Sequence, residues 1–118
     1  MNGDSRLEIS REAREDAEVI SLRGELDLTN VDELSAAVRA SRGTRIVLDL
    51  SRLVFVDSAG VRGIDAEHSR LRQEGRSLLV VAPPSSRAAW TFRIAGFADD
   101  FVLGSLGDAA EHVPPESS

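Results

Sequence analysis

Cysteine is missing from all 118 residues, which excludes disulfides, thiolate metal sites and a cysteine nucleophile. Lysine is missing too. All 14 basic residues are arginine, so no mechanism can depend on a lysine amine. No run of about 18 consecutive apolar residues occurs. The opening MNGDSRLEIS has neither the basic start nor the apolar core of a secretion signal, so the expected location is the cytoplasm, with no membrane span. Nor is there a surplus of positive charge. With 20 acidic residues the formal charge is -6, which disfavours nucleic acid and anionic lipid as partners, because neutralising phosphates needs a basic surface.

Apolar residues make up 42% and charged residues 29%, near the averages of folded soluble proteins. The length suits one domain. That domain is expected over residues 5–112, with flexible termini at 1–4 and 113–118. RLEIS (6–10) and AEVISLRG (17–24) alternate apolar and polar residues, predicting two strands that open the fold as a hairpin. Val31, Leu34 and Val38 then follow helical spacing. Asn30 with Glu33 reads as the N-cap signature of that helix.

TRIVLDL (44–50) is apolar almost without a break, as in a central strand covered on both faces. Val61, Ile64, His68 and Leu71 predict a second helix running from Ser58 toward Gly75. SLLVVA (77–82) predicts another covered strand, halted by Pro83-Pro84. The stretch 85–96 predicts a third helix ending at Gly96, with Ala88, Phe92 and Ala95 on one stripe and Trp90 and Ile94 beside it. A short strand at 100–104 and a final helix at 105–113 complete the series. Strands separated by helices become parallel neighbours through right-handed crossovers. The expected architecture is therefore α/β: a mixed, mostly parallel sheet of about five strands with a leading hairpin and about four helices.

The sharpest feature is VFVDSAGVRG (54–63), where an apolar run stops at Asp57-Ser58 and a helix begins. Phe55-Val56 reads as a buried approach to that pair. Both residues are favoured helix caps, and the pair falls beyond the carboxyl end of a central strand, where function gathers in such sheets. A serine hydrolase is disfavoured. Ser58 lacks the G-x-S-x-G elbow, and His68 lies ten residues further along the same helix, about 15 Å away. Asp49 is expected at a strand end, but the acidic pair and the lysine of a phospho-receiver are absent. Gly60 and Gly63 form no phosphate-cradling pattern, and no metal site or cofactor is expected. A serine presented at a helix start without a catalytic partner of its own fits a hydroxyl modified by another protein. Capping and modification remain compatible.

Three blocks in order, GELDLTNVDEL (24–34), IVLDLSRLVFVDSAGV (46–61) and RIAGFADDFVL (93–103), resemble the STAS domain and within it the stand-alone bacterial anti-sigma factor antagonists. The resemblance spans roughly residues 5–112. It implies a non-enzymatic partner switch: the domain binds an anti-sigma factor that is also a serine kinase and so frees a sigma factor. It implies further that the kinase phosphorylates Ser58 and a phosphatase reverses this. Partner contacts are implied at Asp57, Ser58, Ala59, Gly60 and Arg62, and at Glu25 and Asp27 of the GELD segment. Arg62 departs from the family pattern, which has glycine there. STAS domains also resemble constitutive adaptor subunits of lipid-transport ATPases and of stress-sensing assemblies, the alternative reading.

Overall fold

The computed structural model describes residues 6–14, 17–96 and 102–103. The chain opens with strands β1 (Leu7–Arg14) and β2 (Ala17–Leu26), paired antiparallel. Helix α1 (Val31–Ala40), strand β3 (Arg45–Val56), helix α2 (Ser58–Gln73), strand β4 (Ser77–Val81), helix α3 (Arg87–Ala95) and the two-residue strand β5 (Val102–Leu103) follow. The strands lie in sequence order, β1-β2-β3-β4-β5, and every pairing after the hairpin is parallel. The mixed α/β sheet with a leading hairpin is as expected. The helix expected over 105–113 lies outside the described residues.

Alternation decides which side chains meet the helices, because successive residues of a strand point to opposite faces. Ile20, Leu22 and Leu26 of β2, Ile46, Leu48 and Leu50 of β3 and Leu78 and Val80 of β4 join Leu34 and Val38 of α1, Ile64 and Leu71 of α2 and Phe92 of α3 in one core. Val19, Val47, Leu79 and Val81 form a smaller buried cluster on the other face. The unbroken apolar run of β3 thus serves both sides of the sheet. Glu67 of α2 is buried with its charge paired: Arg70 donates to Oε1 at 2.8 and 3.0 Å, and Arg39 reaches over from α1 at 3.6 Å.

β3 corrects the sequence reading most. The strand was expected to end at Leu50 but continues to Val56, so Asp49 is no strand-end carboxylate; it lies mid-strand and accepts from the Ser51 N–H at 3.0 Å. β4 pairs with β3 only from Arg45 to Asp49, and beyond that point β3 is paired with β2 alone. The β2–β3 register shifts twice, between Ser21 and Arg23 and between Gly24 and Glu25, with the extra residue on β3 each time. Each bulge resets the alternation. The inward residues become Leu50, Leu53 and Val56, three apart, and Val54 and Phe55 turn outward. Phe55 is therefore exposed rather than part of a buried approach.

α3 stands beside the projecting half of β3, and the Thr91 hydroxyl donates to the Val56 carbonyl at 3.3 Å. Ala88, Ala89 and Phe92 pack inward, whereas Ala95, expected on the same stripe, is exposed. Ser86 caps this helix by accepting from the Ala89 N–H, and Gly96 closes it in the left-handed region at φ 87°.

Candidate functional site

Where β3 ends, Asp57 is extended and forms the N-cap of α2. Its carboxylate accepts from the Gly60 N–H at 2.9 Å, and its own N–H donates to the Leu26 carbonyl at 3.2 Å, tying the ends of β2 and β3 together. With the cap supplied by Asp57, Ser58 becomes the first helical residue and is free of that duty. It is exposed, and its hydroxyl makes no hydrogen bond among the described residues. Ala59 is half-buried. Gly60 is buried, and a Cβ there would press on Val56 Cγ2 at 2.8 Å and on Leu26 at 3.0 Å, so the first turn of α2 can seat this low only on a glycine. Arg62, one turn on, is exposed and has no ion-pair partner among the described residues.

Opposite this turn lie the end of β2, with Glu25, and the loop after it, with Asp27. Glu25 pairs with Arg6 at 3.1 Å. The Thr29 hydroxyl donates to Asp27 at 2.6 Å and the Thr29 N–H at 2.9 Å, and these bonds hold the Asp27 carboxyl below its usual range. Asn30 does not cap α1 with its side chain, contrary to the expected signature. Instead Asn30 is buried; its Oδ1 accepts from the Asp27 N–H at 3.0 Å and its amide donates to the Glu25 carbonyl at 2.9 Å. Two backbone groups of the loop have claimed it. The loop is also fastened to α2, because Leu26 packs on Gly60 and Val31 lies so close to Gly63 that a Cβ there would overlap Val31 Cγ2.

Glu25, Asp27, Asp57, Ser58, Ala59 and Arg62 thus gather at one edge, at the carboxyl ends of β2 and β3. Gly60 lies beneath them as a packing point. The edge has apolar neighbours not singled out as exposed from the sequence: Leu28, 73% exposed in the acidic loop, with Val54 and Phe55 just before the cap. Asn30, which braces the loop, was also missed. An asparagine followed three residues later by glutamate looks the same in sequence whether it caps or braces.

As chemistry, the edge offers an accessible hydroxyl over the positive end of a sixteen-residue helix. No cluster of potential metal ligands occurs among the described residues, and none of their helices is long and apolar enough to cross a membrane. His68, half-buried further down α2, is far too distant to act as a base for Ser58.

Comparison with known proteins defines the class. Residues 9–105 match the family described as Mlab, STAS domain, and the chain belongs to the STAS domain family. Proteins named as anti-sigma factor antagonists are among those it resembles. The chain is 33% identical over 96 residues to the protein named anti-sigma factor antagonist BtrV of Bordetella bronchiseptica, covering 78% of this chain and 81% of that one. It resembles the crystal structure of an anti-sigma factor antagonist from Mycobacterium paratuberculosis, with a TM-score of 0.76, 26% identity and coverage of 92% and 93% of the two chains. The Bacillus cell fate determinant SpoIIAA in its phosphorylated form shares the fold, with a TM-score of 0.64, 24% identity and coverage of 87% and 96%.

Proposed function

We propose that the protein is a cytoplasmic, non-enzymatic antagonist that docks an anti-sigma factor serine kinase through the Ser58 edge, frees a sigma factor, and is switched off when the kinase phosphorylates Ser58. A phosphatase resets it. One observation carries this reading: Ser58 is exposed and unengaged because Asp57 has taken the capping role. A hydroxyl spent on capping would be a poor acceptor. Asp57, Ala59, Arg62, Glu25 and Asp27 line the docking edge around it, while Gly60 seats the turn from below.

The switch follows from charge. A phosphate on Ser58 adds about -1.5 to -2 units and sits over the N–H groups at the start of α2, so the modified chain stays folded. The same charge arrives beside Asp57, at the edge that also carries Asp27, in a surface that must shed water to dock. Like charges brought together in an interface cost several kcal/mol, and each 1.4 kcal/mol is tenfold in affinity. Arg62, four residues on along the helix, reaches toward that phosphate and steadies the phosphorylated state. A slower dephosphorylation of the wild type than of Arg62→Ala is expected; equal rates refute this role.

Incubation with ATP and the anti-sigma kinase, followed by phosphosite mapping, is expected to find Ser58 alone. Ser58→Ala should bind the kinase as the wild type does, and Ser58→Glu at least about tenfold more weakly. Equal binding by Ser58→Glu refutes the switch. Recovery of a transporter ATPase in a pulldown, in place of the kinase, identifies a constitutive adaptor instead. The free hydroxyl favours the switch, since an adaptor has no use for one.

A further inference from the structure

α3 has two apolar sides, and folding explains only one. Ala88, Ala89 and Phe92 enter the core. Arg87, Trp90 and Ile94 are spaced three and four residues apart and fall within about 60° of one another on the opposite side. Trp90 is 49% exposed and Ile94 69%. The Arg87 guanidinium lies over the Trp90 ring, 5.5 Å from its centre. Beside this stripe is a cavity of about 440 Å³ lined by Pro84, Ser85, Ser86, Arg87, Trp90 and Arg93. Among the described residues its lining holds two arginines and no carboxylate, on a chain whose formal charge is -6. Tryptophan and arginine are the residues most often found to dominate binding energy at protein interfaces.

The charge selects the occupant. A second copy docking symmetrically would set these arginines against their own counterparts, because a two-fold interface places the same patch on both sides. An anionic membrane would meet a strongly acidic molecule. A protein segment with carboxylates beside a large apolar side chain suits both halves of the stripe. Its position points to which protein: Thr91, next to Trp90, bonds to Val56, one residue before Asp57, so the stripe stands at the Ser58 end of the molecule.

We infer that the outer face of α3, formed by Arg87, Trp90, Arg93 and Ile94, is a second docking surface for the anti-sigma factor and takes an acidic, apolar segment of that partner. This rests on the antagonist reading given above. The test uses the full chain and the anti-sigma kinase, with binding measured by calorimetry for the wild type, Ser58→Glu, Trp90→Ala and the pair Arg87→Glu with Arg93→Glu. Trp90 is the chain's single tryptophan, so 5-fluorotryptophan places one fluorine signal on the stripe without any mutation.

The expected result is a loss of at least about tenfold for Trp90→Ala and for the double charge reversal, together with a shift of the fluorine signal when unlabelled kinase is added. Should Ser58→Glu weaken binding while both α3 changes stay within about twofold and the signal does not move, the inference is overturned and the antagonist reading stands. Failure of the wild type to bind the kinase overturns both. A fluorine shift on phosphatidylglycerol vesicles without one on the kinase, or self-association of the wild type that Trp90→Ala abolishes, assigns the stripe to a membrane or to a second copy and refutes the inference.

Discussion

Replacing Asp57 separates the two jobs that its carboxylate performs. Asp57→Ala removes the acceptor for the Gly60 N–H, a bond of 2.9 Å in a partly buried place. Loss of an N-cap costs about 0.5–2 kcal/mol. Gly60 is buried under the turn, so water replaces that bond poorly and the upper half of the range is expected, about 1–2 kcal/mol. The unfolding entropy of a chain of 118 residues is about 0.25 kcal/mol/K, which converts the loss to roughly 4–8 °C in Tm. Asp57→Asn keeps an acceptor oxygen and gives up only the charge near the helix start, about 0.3–1 kcal/mol. Thermal unfolding followed by circular dichroism should therefore rank wild type above Asp57→Asn above Asp57→Ala. Binding to the anti-sigma kinase should respond differently, since both variants remove the negative charge. If Asp57→Asn melts as low as Asp57→Ala, the carboxylate acts through its charge and the capping argument for a free Ser58 fails.

Two further outcomes are expected. Gly63→Ala should destabilise the fold by about 1–2 kcal/mol despite the better helix propensity of alanine, because the new Cβ meets the stiff, β-branched Val31; urea unfolding of Gly63→Ala with Val31→Ala should recover most of that loss, and no recovery refutes the contact. Arg11 holds the Glu18 carboxyl below its usual range, and Thr29 does the same for Asp27. Both lose protons more readily folded than unfolded, so their stabilisation is present above about pH 5 and disappears as the pH falls below about 4. Melting temperatures measured from pH 6 to pH 3 should fall less steeply for Glu18→Gln with Asp27→Asn than for the wild type; equal slopes would remove these two carboxylates from the account.

Much of the architecture was open to inspection in the chain. Alternation in β1 and β2, helical spacing in α1 and α2, the apolar run at 77–82 and its stop at Pro83-Pro84 are local patterns, and local periodicity is what a strand or helix imposes on its own residues. The Asp57-Ser58 pair was equally visible, since a cap is a matter of three or four consecutive residues. The division of labour within the pair was not. Either oxygen could have taken the Gly60 N–H, and which one did depended on where β3 released the chain.

What stayed hidden depended on partners distant in sequence. Phe55 faces out because β3 gained two extra residues against β2, and a bulge is a property of two strands together. Asn30 braces the acidic loop because β2 runs on to Leu26 and brings the Glu25 carbonyl within its reach. Trp90 and Ile94 lie in the open because Ala88, Ala89 and Phe92 take the inward side of α3. A sequence prescribes what each segment becomes on its own; which of its side chains meet solvent is decided when segments far apart compete for the same interior.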